Sequence, residues 1–196
     1  MSVQVEPATA DRWDDHVRVF GRRGDDASWD WCQLFLRPNA RSSAQADASP
    51  DNRSALRRQV IHAAVPPGLI AFVDGRPVGW TRVGPRQAFP GVVGNRAMAK
   101  LISGDEEGVW WVTCFAVHGR HRRSGVGAAL LGAAVRFARD HGATAVEGHP
   151  VDVAGLTASR VSGSAIYTGT MTMFAAAGFV EVGRTSPTRP VMRLAF

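Results

Sequence analysis

The chain has 196 residues, 45% of them hydrophobic and 20% charged, which suits a soluble globular protein with room for one domain, 1–196, and a sizeable core. No apolar run approaches the roughly 20 residues of a membrane helix, and the polar, acidic opening "MSVQVEPATADRWDDH" lacks the basic start and apolar core of a signal peptide, so a cytoplasmic protein without a membrane partner is expected. The net charge of +6 and the pI of about 10.8 suit an anionic partner without naming it.

Residues 3–6, "VQVE", read as a short strand that ends at Pro7. Trp13, Val17 and Phe20 recur at helical spacing, and "GRRG" stops that helix. "SWDWCQLFLRP" (28–38) is aromatic-rich without a clean period, and the small, polar "NARSSAQADASPDNRS" (39–54) reads as a loop. "ALRRQVIHAAV" (55–65) predicts a helix closed by "PPG". In "LIAFVDGRPVGWTRV" (69–83), two apolar runs flank a tight-turn sequence, which predicts a hairpin. The connection over 84–108 can hold a helical turn in "NRAMAKLI" and carries the acids "DEE" at 105–107.

"VWWVTCFAV" (109–117) is apolar on both faces, as a central strand covered on both sides must be. Val126, Leu130, Ala134 and Phe137 then mark a helix that Gly142 stops. "ATAVEGHP" (143–150) reads as a strand and 151–164 as a Gly/Ser/Thr-rich connection. "AIYTGTMTMFAAAGF" (165–179) predicts a helix with a glycine stop, and strand, Pro-containing turn and strand complete the chain. This order is α+β, with one βαβ crossover from 109 to 148. Cys32 and Cys114 have no metal-motif spacing and read as small buried hydrophobes; no metal is expected.

The segment "HGRHRRSGVGAALL" (118–131) allows three chemistries. Arg120, Arg122 and Arg123 suit nucleic-acid phosphates, but no recognition helix, zinc spacing or interleaved stacking aromatics accompany them, so no nucleic-acid partner is expected. An NAD(P) fingerprint fits the strand, G-x-G, helix, strand order, with Glu147 20 residues after Gly127. Against it, Leu130 occupies the third glycine position, and seven residues separate Val117 from Gly125 where that turn is tight. The third chemistry is a helix N-terminus whose unpaired N–H groups and positive end meet a cofactor's pyrophosphate, with glycines permitting close approach and Arg122 adding charge.

"RRSGVG" (122–127) fits R/Q-x-x-G-x-G/A and resembles the coenzyme A loop of the GNAT N-acetyltransferase superfamily. The preceding "VTCFAVHGRHR" and the closing "MFAAAGFVEV" (173–182) resemble the same family, and the likeness spans roughly 68–196, with 1–67 left as acceptor-side helices. The resemblance implies a GNAT-like fold: a mixed, mostly antiparallel sheet flanked by helices, with splayed central strands. It also implies acetyl-CoA as co-substrate and direct transfer to a primary amine, small molecule or protein lysine, without a covalent enzyme intermediate. A homodimer is a further family-level suggestion. Carried over, Phe115, Ala116 and Val117 offer backbone groups to the pantetheine arm, and Arg122, Arg123, Ser124, Gly125, Val126, Gly127 and Ala128 hold the pyrophosphate.

The chain departs from the family at the general acid. Many members have a tyrosine five residues before the Phe of "GF", where this chain has Phe174. The only tyrosine, Tyr167, stands seven residues earlier, and two helical turns would bring it to the same face. Tyr167 is the candidate proton donor to the leaving thiolate, with packing as its alternative role. Phe174 also leaves open a non-catalytic acyl-CoA-binding or sensory module. Glu147 is the candidate base, ahead of Asp152 and the acids at 105–107, with a structural hydrogen bond as its alternative. His118 and His121 sit on the pyrophosphate side. Trp29, Trp31 and Phe35 suit either an acceptor wall or the core, and Asp30 can attract a cation.

Overall fold

The computed structural model describes residues 2–26, 29–38, 51–102, 106–156 and 165–196. The expectations for 39–50, Asp105 and 157–164 lie outside the described residues.

Seven strands form one sheet: β1 (Val3–Pro7), β2 (Gly68–Val73), β3 (Arg76–Pro85), β4 (Val109–Val117), β5 (Ala145–Gly148), β6 (Val180–Ser186) and β7 (Arg189–Ala195), in the spatial order β1-β2-β3-β4-β5-β7-β6. All neighbours are antiparallel except β4 and β5, whose parallel pairing is the expected crossover through the helix Val126–Asp140. The β2–β3 hairpin turns on Asp74 and Gly75, with φ of 50° and 72°. Positive φ at both central residues is what a type I′ turn needs, and Asp-Gly supplies it at low cost.

The helices are α1 (Trp13–Phe20), α2 (Asn52–His62), α3 (Pro90–Val93), α4 (Val126–Asp140) and α5 (Met171–Ala176). α4 covers one face through Val126, Leu130, Leu131 and Ala134, packed on Leu69, Ala71, Val78, Trp110 and Val112. On the other face, α1 and α2 pack Val19, Leu56 and Val60 against Ile70, Trp80 and Cys114. The 84–108 connection covers Trp111 and Val191 there with Phe89, Val92 and Met98. It holds α3 and a single helical turn at Met98–Lys100, inside the predicted "NRAMAKLI".

The helix predicted over 165–179 is corrected. Residues 165–168 form a turn, Gly169 has φ of 86°, and α5 begins only after Thr170, whose hydroxyl accepts the Met173 N–H at 3.3 Å. A left-handed glycine followed by an extended N-cap threonine cannot continue a helix, so the local chemistry overrides the apolar periodicity.

Candidate active site

The site begins with a mismatch in strand length. β4 and β5 pair only from Val109↔Ala145 to Val112↔Gly148, where β5 ends; β4 runs on to Val117. At this point β4 also carries a bulge: Arg82 faces Cys114 while Val83 faces Val112, leaving Thr113 as the extra residue. The bulge shifts the alternation by one. Trp110 and Val112 pack with α4, and beyond the bulge so do Phe115 and Val117, whereas Cys114 and Ala116 join the α1–α2 side. His118 N–H bonds Val78 O at 2.9 Å, so alternate residues direct their main-chain groups to β3. Phe115 and Val117 therefore direct theirs into the space β5 has left; Ala116 does not. The Phe115 N–H is already donated to the Tyr167 carbonyl at 2.6 Å.

A cleft of about 1430 Å³ opens along this unpaired edge. At one end lies the turn into α4. Arg123 and Gly125 have φ of 60° and 87°, and Gly125 is the residue preceding the first helical turn. The first in-helix bond is Ala129 N–H to Gly125 O at 2.9 Å, so the amides of Val126, Gly127 and Ala128 precede the ladder and point out of the helix end. A Cβ on Gly125 would meet nothing within 4 Å, so glycine is required there by its backbone angle alone. At Gly127 a Cβ would stand 3.2 Å from Met173 Sδ. The loop is braced by Arg122 Nε–H to Val117 O at 3.2 Å, by Ser124 Oγ–H to His121 O at 2.7 Å, and by His118 Nε2 on the Arg18 carbonyl oxygen of α1 at 2.9 Å. An anionic, pyrophosphate-bearing ligand fits this end: amides, an open glycine and two arginines face one space.

The structure brings Phe115, Ala116, Val117, Arg122, Arg123, Gly125, Gly127 and Ala128 to the cleft wall. Ser124 faces its own loop, and the Val126 side chain is buried in the core beneath α4, so neither side chain lines the cleft. Tyr167 lines the cleft, although from a turn and not from the helix first expected. Burial pushes its phenol up to about 12, with the Arg189 charge opposing that rise, so the proton stays on the ring oxygen. Phe174 is fully buried, edge-on to Phe115 and Phe179, and closes the gap beyond β5 as an apolar wall.

Glu147 is not brought to the cleft. It is 1% exposed; Oε2 accepts from the equally buried Arg86 at 2.8 Å and Oε1 from Arg193 at 3.1 Å, and Arg193 also pairs with Glu106. A carboxylate clasped by two guanidinium groups on the paired part of the sheet is an anchor between strands, and its placement at the cleft is corrected. Asp152 pairs with Arg184 at 2.8 Å. Among the described residues, the one carboxylate lining the cleft is Asp30, whose Oδ1 accepts the Leu34 N–H at 3.0 Å. Trp29 lines the cleft beside it, Trp31 is fully buried, and Phe35 lies 6.3 Å ring to ring from Tyr167. What sequence reading missed was the meeting of Cys32 with Cys114: both line the cleft and belong to one buried cluster. The position of Cys114 one residue before "FAV" was the available sign; nothing local marks Cys32.

Among the described residues no helix is long and apolar enough to cross a membrane. The sequence matches the model of the acetyltransferase (GNAT) family over residues 28–154. No curated protein matches it. Solved structures share the fold at low identity. The ribosomal-protein-alanine N-acetyltransferase of Brucella melitensis aligns at 14% identity and TM-score 0.54, covering 98% of this chain and 99% of that one. The PaiA N-acetyltransferase of Thermoplasma acidophilum, in complex with coenzyme A, aligns at 11% and 0.52 over all of both chains. A GNAT-family acetyltransferase of Streptococcus pneumoniae aligns at 11% and 0.52, covering 100% and 99%. Because the family match spans well over half of the chain, and takes in both the strand that loses its neighbour and the helix after it, this chain belongs to the acetyltransferase (GNAT) family.

Proposed function

We propose that the chain, as a single domain, moves an acetyl group from acetyl-CoA to a primary amine, small molecule or protein lysine, by direct attack in the cytoplasm. The observation that carries this reading is the single cleft shared by the free edge of β4, the open end of α4 and a protonated tyrosine. Acetyl-CoA would supply an activated thioester. The Val126, Gly127 and Ala128 amides, with Arg122 and Arg123, would hold its pyrophosphate. Phe115 C=O and Val117 N–H would hold the pantetheine arm as an added strand would; Ala116 would contribute its side chain to the wall. Tyr167 would give its proton to the departing sulfur. Asp30 would draw the acceptor's ammonium group into the cleft, in place of the sequestered Glu147.

The experiment has two arms. Acetyl-CoA should raise Tm where NAD(P)H does not, and an amine panel should elicit release of the coenzyme A thiol. A shift with NAD(P)H alone overturns the cofactor reading. A shift with acetyl-CoA and no turnover on any amine favours the binding module that Phe174 suggests.

A further inference from the structure

Cys32 and Cys114 lie far apart in sequence, yet the fold brings both into one buried cluster at the cleft wall, beside Trp80 of β3. Cys114 reaches this position through the Thr113 bulge, which places it directly across from Arg82 of β3. Cys32 sits in a turn where Trp31 and Cys32 have φ of 45° and 56°. Non-glycine residues avoid this left-handed region, so the surroundings must hold the turn. They do: Trp31 Nε1–H bonds Asp26 O, Gln33 Nε2–H bonds Trp31 O, and Trp80 Nε1–H bonds Cys32 Sγ, each at 3.0 Å.

Arg82 completes the group. Its side chain is 3% exposed and donates to Gln59 Oε1 at 2.8 Å, while its Nε finds no partner among the described residues. Among those residues no carboxylate forms a close ion pair with it, and Asp30 acts on it only at longer range. A buried guanidinium without a close counter-ion is costly, and a thiolate across the strand pair supplies one. The two thiols respond differently. Burial pushes Cys114 up, but the hydrogen bond from Cys32 and the Arg82 charge outweigh it and bring it below the ordinary thiol range. Cys32 is pushed well above that range, chiefly by burial. Cys114, which stands directly across from Arg82, is assigned as the nucleophile and Cys32 as its partner.

We propose that Cys32 and Cys114 form an oxidisable dithiol in the cleft wall, which takes a small hydroperoxide and closes to an intramolecular disulfide. The Cys114 thiolate attacks a peroxide oxygen; the O–O bond breaks, an alcohol (water, for hydrogen peroxide) leaves after taking a proton, and Cys114 becomes a sulfenic acid. Cys32 sulfur then attacks Cys114 sulfur, the S–S bond forms, and hydroxide leaves as water with the Cys32 proton. The two sulfurs lose two electrons together and the peroxide gains them. The bond ties the turn bearing Asp30 to β4, across the end of the cleft where the acceptor would sit. This chemistry is independent of acyl transfer and is read without it.

The test treats the full chain with hydrogen peroxide in the absence of reductant, then alkylates it after denaturation and maps its peptides without reduction. Both thiols should be lost to alkylation, the mass should fall by two hydrogens, the Cys32 and Cys114 peptides should be linked, and dithiothreitol should restore everything. In Cys32→Ser, dimedone should trap a sulfenic acid on Cys114; in Cys114→Ser, Cys32 should react at least about tenfold more slowly. Two thiols still alkylatable after treatment, links found only between chains, or faster reaction at Cys32 would each overturn the proposal.

Discussion

Arg82 and Arg86 stand four positions apart, one in β3 and one just past it, and both are buried to 3% exposure or less. Arg86 lies beside the stretch where β4 and β5 are paired and meets Glu147 at 2.8 Å. Arg82 lies beside the stretch where β5 has ended and meets two thiols and a glutamine. The same side chain is neutralised by a permanent anion where the sheet is closed and by a titratable, reactive group where it opens. The first arrangement fixes strands. The second places chemistry at a cleft, at the expense of an incompletely matched charge.

The strongest way to break this comparison is Glu147→Gln. It strands Arg86 without its anion and should cost about 3–5 kcal/mol of stability by urea denaturation, while acetyl-CoA affinity of the remaining folded protein stays unchanged. A loss below about 1 kcal/mol would remove Glu147 from the role of anchor.

Acid should weaken the Arg82 end next. His16 lies 4.0 Å from the Trp80 ring centroid, its ring nitrogens have no hydrogen-bond partner among the described residues, and burial, with the Arg82 charge, holds its pKa down to about 3. The unfolded imidazole takes a proton near 6.5 and the folded one only near 3, so its contribution is whole above 6.5 and is lost as pH falls toward 3. At about pH 4.5 this amounts to roughly 2–3 kcal/mol. His16→Gln should flatten the fall in Tm over that range, measured against wild type to subtract the carboxylates; an identical slope would clear His16.

Two substitutions probe the cleft itself. Tyr167→Phe should lower turnover at least about tenfold, roughly 1.4 kcal/mol in the barrier, and spare acetyl-CoA affinity; an unchanged rate would take Tyr167 out of the mechanism. Because its proton is held to about 12, wild-type activity should show no loss from this group near pH 10, where an exposed tyrosine ionises. Gly125→Ala meets open space but must adopt φ of 87°. It should weaken coenzyme A binding by about 1 kcal/mol by calorimetry. Arg82→Met is the smallest perturbation in stability, within about 1 kcal/mol and of either sign, because it deletes a buried charge and the Cys114 thiolate it leaves can take up a proton. Its signature is slower alkylation of Cys114, which sharpens the contrast with Glu147→Gln.

Much of the frame was legible. Asp-Gly between two apolar runs gave the hairpin, the doubly apolar 109–117 gave the central strand, and the glycine spacing with the helix behind it gave the turn that faces the cleft. These signals are local: periodicity and backbone angle are set within a few residues. The misplaced features have two sources, a partner distant in sequence and a local stop outweighed by an apolar pattern. Glu147 reads as a free acid until Arg86 and Arg193 arrive from other parts of the chain. The 165–179 helix reads as continuous until Gly169 and the Thr170 cap are seen to interrupt it.

The sequence by itself determined the α+β order, the crossover, the glycine-led start of α4 and the family resemblance, because each rests on short-range sterics and side-chain alternation. Tertiary structure alone decided where β5 ends against β4, which face the Thr113 bulge gives to Cys114, which carboxylate lines the cleft, and which buried arginine receives an anion. Those are outcomes of register and long-range packing. A one-residue bulge reverses every side chain beyond it, and nothing within nine residues of strand announces that reversal.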